Sequence, residues 1–96
     1  MLYAFICTDK PNSSSIRQQF RPDHMKHVQG LGASLKFAGP FLGDDGSPIG
    51  SLLVIDAADR KAAQEIAGND PYGKAGLFAS VDIRAWKWAI NPPPGL

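Results

Sequence analysis

Four stretches of the chain show the short apolar or alternating pattern that is typical of β-strands. Residues 2–7 are rich in aromatic and branched side chains and stop at a polar run. Residues 35–42 and 50–56 flank a link full of turn-forming residues, which predicts a hairpin. Residues 76–88 alternate along a long final strand. Pro40 interrupts the second stretch and predicts an edge position or a bulge there.

Helical signals fill the two remaining gaps. Residues 14–20 can form a short helical turn, and Pro22 suits the first turn of a separate helix over residues 22–31. A further helix follows Asp59, its plausible N-cap, and ends at Gly68. The order strand, helix, strand, strand, helix, strand predicts a ferredoxin-like βαββαβ fold, an α+β class with an antiparallel sheet and two helices on one face.

Side chains of the last strand divide into two sets by their alternation. One set suits a face packed under the helices and comprises Leu77, Ala79, Val81, Ile83 and Ala85. The other mixes rings with polar groups and comprises Phe78, Ser80, Asp82, Arg84, Trp86 and Trp88, to which Tyr3 and Phe5 are expected to add. Because exposed apolar patches of this kind mark interfaces, we predict a homodimer that packs sheet on sheet.

Composition narrows the class of protein. A chain of 96 residues predicts one domain, over residues 1–88, with a Pro-rich tail over residues 89–96. A net charge of +1, with the basic residues spread along the chain, favours neither a nucleic acid nor a membrane as partner. Neither a bilayer-spanning stretch nor a signal-peptide pattern is visible, so the expected location is cytoplasmic.

Metal and cofactor motifs are not evident. The single cysteine, Cys7, excludes an intrachain disulfide and reads as a buried strand residue, with a catalytic thiol as the alternative. His24 and His27 have the i,i+3 spacing of some metal ligands, but their rings diverge and no carboxylate stands at ligand spacing. The Gly-rich residues 39–50 match neither a P-loop nor a dinucleotide motif. We therefore expect no metal and no cofactor.

Four residues have the chemistry of a site, and each has a plainer interpretation. His24 falls near the centre of the apolar face of its helix, either as a satisfied core residue or as a general acid–base. Asp70 precedes Pro71, where it suits a turn as well as catalysis. Tyr72 is a packed ring or an acid, and Arg21 a surface charge or a fork for a substrate carboxylate.

Five motifs, in this order and spacing, resemble the YCII-related (YciI-like) family: "LYAFICTDKP", "RPDHMKH", "AGPF", "DPYGKAGLF" and "VDIRAWKW". The resemblance covers residues 1–88 and implies a ferredoxin-like fold of the dimeric α+β barrel type. It also implies an active site of a histidine and an aspartate, which fall on His24, in Arg-x-x-His from Arg21, and on Asp70 of Asp-Pro-Tyr. The family is similar to muconolactone-isomerase-like and dehydrochlorinase-type proteins, which implies lyase or isomerase chemistry.

The resulting expectation is a dimeric enzyme in which His24 is the general acid–base and Asp70 orients it. Arg21 and Tyr72 would contact a small organic acid or lactone. The alternative is a non-catalytic dimeric module that binds a small ligand or assists another protein. The two differ in geometry: a His24–Asp70 pair in hydrogen-bond reach and open to a pocket favours the enzyme, and a pair buried without a cavity favours the module.

Overall fold

A computed structural model describes residues 1–95 of the chain, which form a four-stranded antiparallel sheet with helices on one face. The strands are β1 (Leu2–Asp9), β2 (Leu35–Leu42), β3 (Pro48–Asp56) and β4 (Phe78–Trp86). The helices are α1 (Ser14–Gly30), α2 (Arg60–Gly68) and the short α3 (Pro71–Lys74), with a 3₁₀ turn at Gly32–Ser34. The sheet order β2-β3-β1-β4 confirms the ferredoxin-like βαββαβ prediction.

The first helix differs from its prediction because it runs unbroken through Pro22. We expected a helical turn over residues 14–20 and a separate helix after it, whereas α1 is one helix of 17 residues. Proline removes the hydrogen bond to the carbonyl four residues earlier, which belongs to Gln18. Pro22 and Gln18 are both exposed, so water can bond the freed carbonyl and the helix continues.

The hydrophobic core lies between the helices and one face of the sheet. Its buried members are Tyr3, Phe5, Cys7, Val28, Leu53, Ile55, Ala57 and Ala63. Placing Tyr3 and Phe5 on the opposite face was therefore wrong. Strand pairing explains their direction, because Phe5 lies directly between Leu53 and Ile83, which belong to or pack against the same core.

A bulge at the start of β4 corrects a second side-chain assignment. Thr8 pairs with Ser80 but Asp9 pairs with Phe78, so one residue is skipped on β4. This shift turns Phe78 to the helix side, where it packs against the core, although its sequence position predicted the outer face. Ile83 packs on the core as predicted.

The outer face of the sheet carries an aromatic cluster of Phe37, Trp86 and Trp88. The Phe37 ring lies 4.9 Å from the Trp88 ring and 5.8 Å from the Trp86 ring, both edge-on. Trp86 remains 38% exposed. The outward placement of the tryptophans leaves the homodimer a prediction, with these rings as its contact surface.

The end of the chain continues past β4 without regular structure. Residues 87–95 form no helix or strand, and the last residue of the predicted tail lies outside the described range. Within residues 1–95, no helix combines the length and the apolar character needed to cross a membrane.

Candidate active site

His24 and Asp70 lie side by side beneath the surface between α1 and α3. The Nδ1 atom of His24 is 2.9 Å from Oδ1 of Asp70, and the two side chains are only 12% and 6% exposed. The same Oδ1 accepts the backbone N–H of Tyr72 at 3.0 Å. An ionised carboxylate only accepts hydrogen bonds, so with Asp70 in that form Nδ1 is the nitrogen that donates. The imidazole therefore keeps Nε2 as its second, uncommitted nitrogen.

The local sequence explains how Asp70 serves two purposes. It is the N-cap of α3, and Pro71 in the first turn restricts it to an extended backbone with φ −66° and ψ 123°. A cap residue points its side chain at the first helical N–H groups, here that of Tyr72. The turn interpretation of Asp70 is therefore true, and the same carboxylate also bonds His24.

Tyr72 forms a wall of the site by stacking on the imidazole. The two rings are 4.0 Å apart with 13° between their planes, and Phe78 meets Tyr72 edge-on at 6.1 Å. Tyr72 is 2% exposed. Burial raises the pKa of its phenol, with Asp70 adding to the rise and Arg17 and Arg21 opposing it. The hydroxyl is thus protonated near neutral pH.

Arg17 belongs to the same cluster, and the sequence reasoning missed it. Its Nε donates to Oδ2 of Asp9 at 2.8 Å, and its Nη2 donates to Oδ1 of Asp9 at 2.9 Å and to Oγ of Ser51 at 3.0 Å. Its Cζ lies over the Tyr72 ring, 4.8 Å from the centroid. Burial acts to lower the pKa of Arg17, but the hydrogen bond and charge of Asp9 outweigh it, so the pKa is raised.

One signal in the sequence could have identified Arg17. Arg17, Arg21, His24 and Val28 stand at i, i+4, i+7 and i+11, which is one stripe of a continuous helix. Dividing the helix at Pro22 hid this stripe. Asp9 and Ser51 come from β1 and β3, and no local pattern joins them to the helix.

A cavity of about 370 Å³ opens beside this cluster, between α1 and the β2–β3 hairpin. That volume is within the usual range for small-molecule sites, roughly 300–1,000 Å³. Its polar lining consists of Arg17, Arg21, His24, Ser51 and Tyr72, and its apolar lining includes Met25, Val28, Leu35, Ala38, Pro40, Pro48, Leu52 and Leu53. Arg21 is exposed, and its guanidinium makes no hydrogen bond to any residue the structure describes.

Two other sequence candidates stay outside the cluster. Cys7 is 3% exposed, and burial raises its pKa to about 12, with Asp70 and Asp9 adding to the rise. A thiol this weakly acidic is no nucleophile near neutral pH, so the buried-residue interpretation holds. Over the described range, no group of three or more His, Cys, Asp or Glu residues is placed to hold a metal ion, and His27 does not line the cavity.

Curated relatives of the chain match it nearly end to end. Protein YciI of Escherichia coli O6:H1 is 32% identical over 95 residues, which covers 91% of this chain and 97% of the relative. An uncharacterized protein of Haemophilus influenzae has the same identity and coverage. A protein named derivative of benzaldehyde biosynthesis cluster protein C, from Emericella nidulans, is 29% identical over 86 residues, 78% of this chain and 88% of the relative.

Solved structures agree with the fold, and one of them is also similar in sequence. TftG of Burkholderia phenoliruptrix AC1100, a 5-chloro-2-hydroxyhydroquinone dehydrochlorinase in complex with 2,5-dihydroxybenzoquinone, superposes with a TM-score of 0.85 at 33% identity. The match covers 91% of this chain and 94% of TftG. Rv0793 of Mycobacterium tuberculosis, with a TM-score of 0.52 and 16% identity, shares the fold alone. A family model described as the YCII-related domain matches residues 1–87, and the chain therefore belongs to the YCII-related family.

Proposed function

We propose that the protein is a small-molecule enzyme in which His24 is the general acid–base and Asp70 orients it. The observation that carries the proposal is that His24 bonds a buried carboxylate through Nδ1 while its ring lines the cavity, so Nε2 is free to exchange a proton with a ligand. A pair within hydrogen-bond reach and beside a cavity is the geometry that favours an enzyme over a non-catalytic module.

The proposed reaction is a proton transfer of the lyase or isomerase kind. Nε2 removes a proton from a hydroxyl group, or from a carbon next to a carbonyl, and the electron pair of that bond moves into an enolate or a new C=O or C=C bond. In elimination, that electron pair expels a leaving group as its anion, as in a dehydrochlorination. In isomerisation, the imidazolium returns its proton to another carbon. The carboxylate of Asp70 stabilises the imidazolium in between.

The remaining polar groups suit a small ring compound or organic acid. Arg21, at the rim with its donors unused by the described residues, is proposed to bind a carboxylate or an enolate oxygen. Tyr72 is proposed to hold the plane of the imidazole and to contact the substrate. TftG, at 33% identity, acts on a chlorinated hydroquinone, which favours a hydroxylated ring among these substrates, with a lactone as the second class.

The second candidate function is that of a dimeric ligand-binding or accessory module. The half-exposed Trp86, packed with Phe37 and Trp88 on the sheet face away from the cavity, supports the dimer under either function. Sedimentation equilibrium at micromolar concentration should therefore give about twice 10.3 kDa, and a monomer there would contradict the dimer.

The test of the enzyme proposal is turnover by a matched set of variants. Release of chloride from 5-chloro-2-hydroxyhydroquinone is measured, together with deuterium uptake from D₂O into a panel of small lactones. His24→Ala should lose turnover by about 10²- to 10⁴-fold, the usual contribution of a general acid–base, whereas His27→Ala on the same helix should retain it. Circular dichroism checks that each variant folds. Equal turnover by His24→Ala, or binding of the panel without turnover by the unmodified chain, contradicts the proposal.

A further inference from the structure

Arg17 is held in place more firmly than its neighbour in the cavity, Arg21. Three hydrogen bonds fix its guanidinium, two to Asp9 and one to Ser51, and they come from two different strands. Its side chain is 13% exposed and that of Asp9 is 7% exposed. Two long-range anchors on one planar group leave it little rotational freedom.

The guanidinium of Arg17 contacts the Tyr72 ring, which stacks on the imidazole of His24. A single hydrogen bond from Nδ1 to Asp70 anchors one atom of the His24 ring and restricts the tilt of its plane without fixing it. The stacked Tyr72 ring, 13° from parallel, sets that tilt. Arg17 in turn lies over Tyr72, within the distance of a cation–π contact. The contacts form a chain from Asp9 to Arg17, then to Tyr72, and then to the imidazole.

A second arginine–tyrosine contact in the same molecule lacks these anchors. The Cζ of Arg60 lies 5.8 Å from the Tyr3 ring centroid, and Arg60 donates to the backbone oxygen of Ile83 in an exposed position. No acidic side chain of the described residues bonds Arg60, and no histidine stacks on Tyr3. The Arg17–Tyr72 pair therefore has a buried carboxylate on the arginine and an imidazole stacked on the tyrosine, whereas the Arg60–Tyr3 pair has neither.

We propose that Arg17 is a positioning residue for His24. Held by Asp9, its guanidinium fixes the Tyr72 ring, and the ring fixes the direction in which Nε2 faces the cavity. The consequence for turnover rests on the proposed function, whereas the placement of the rings does not. Removing the guanidinium frees the Tyr72 ring and, with it, the plane of the imidazole.

The test reads the imidazole directly by NMR, with no substrate present. A stacked aromatic ring shifts the carbon-bound protons of His24, and Tyr72→Leu defines the position of these signals when the stack is lost. Arg17→Met should move the His24 signals toward those of Tyr72→Leu and leave the His27 signals in place. Arg60→Met, the matched control, should move neither set. His24 signals of Arg17→Met that coincide with those of the unmodified chain overturn the proposal.

Two further variants keep the proposal falsifiable and separate it from the catalytic one. Should Arg17→Met fail to fold, Arg17→Lys decides, because it keeps a charge for Asp9 but lacks the flat fork. A shift of the His24 signals then supports the positioning role, and unchanged signals contradict it. With a substrate that turns over, either variant should lower kcat by about 10- to 100-fold with little change in KM. Shifted signals with unchanged kcat contradict His24 as the catalyst and leave the positioning role intact.

Discussion

The charged pairs at the two ends of the sheet differ in burial. Where β1 ends, the Arg17–Asp9 pair is 13% and 7% exposed, and His24 and Asp70 are buried to a similar degree. Where β1 begins, the amino group of Met1 meets Asp56 at 3.0 Å, with side chains 63% and 47% exposed. The donor–acceptor distances at the two ends are nearly equal, so burial is what separates them.

Because the charged pairs where β1 ends are buried, their presence is not explained by a gain in stability alone. An exposed ion pair contributes about 0–1 kcal/mol and costs little to form. A buried pair must offset the loss of hydration of both groups, and apolar residues in its place are often as stable or more so. Every buried side-chain nitrogen and oxygen of the described residues has a hydrogen-bond partner, so the cost is offset as fully as geometry allows. This pattern favours a functional role for the buried charged groups over a purely structural one.

The largest effect should come from the dyad itself. His24→Ala and Asp70→Asn should each lower turnover by about 10²- to 10⁴-fold. An amide at position 70 can present its own N–H to Nδ1 and so favour the wrong tautomer of the imidazole. The effects of substituting two residues that act as a unit do not add. The double variant should therefore lose no more turnover than the more damaging of the two single variants. A double variant whose loss equals the product of the two single losses would contradict a shared role.

Removing one ion pair at each end of the sheet should destabilise the fold to different extents. Asp9→Ala leaves the Arg17 charge poorly solvated and without its partner, and should lower the free energy of unfolding by about 3 kcal/mol. Asp56→Ala, the matched change at the exposed end, should cost far less stability, because water already solvates both partners of that pair. Urea denaturation followed by tryptophan fluorescence measures both. Equal losses for the two variants would remove burial as the distinction between them.

The contribution of Cys7 to the free energy of unfolding should fall as pH rises. Its folded pKa of about 12 lies above that of an unfolded thiol, so the unfolded state loses its proton first as pH rises. Its stabilising contribution is thus complete below the unfolded pKa of about 8.5 and is lost, by about 1.4 kcal/mol per pH unit, as pH rises toward 12.

The comparison variant for this effect is Cys7→Ala, which should show a flatter loss of stability in alkali. Native Cys7 should also resist alkylation by iodoacetamide at about pH 8 and react once urea unfolds the chain. Rapid alkylation of the folded protein, at the rate of an exposed thiol, would show that the buried placement is wrong.

Local sequence patterns predicted the helices and strands of this fold. The predictions failed where a side chain's direction depends on contacts with a distant part of the chain. The hairpin and the helix after Asp59 follow from signals within a few residues, and Asp59 does accept the N–H of Ala62 at 2.8 Å. The direction of Phe78 depends on a bulge opposite Asp9, which no alternation within β4 reveals. The break expected at Pro22 did not occur because the residue lies on an exposed side of α1.

The candidate site divides along the same line. His24, Asp70 and Tyr72 could be singled out because each stands out in its own segment, by helix face or by the Asp-Pro-Tyr corner. The stack of Tyr72 on His24, and the fork from Arg17 to Asp9 and Ser51, join β1, α1, β3 and α3. Such contacts depend on the packing of separate elements, so the sequence pattern of any one element does not contain them.

The tautomer of the His24 imidazole is the sharpest test of the roles proposed for His24 and Asp70. Nitrogen-15 NMR at about pH 8, where histidine is ordinarily neutral, distinguishes the ring nitrogen that carries a hydrogen from the one that does not. We expect the hydrogen of His24 on Nδ1, donated to Asp70, with Nε2 bare, and we expect Asp70→Asn to change this pattern while His27 keeps its own. A hydrogen on Nε2 of His24, unaffected by Asp70→Asn, would rule out these roles, since the base would then have no lone pair to offer the cavity.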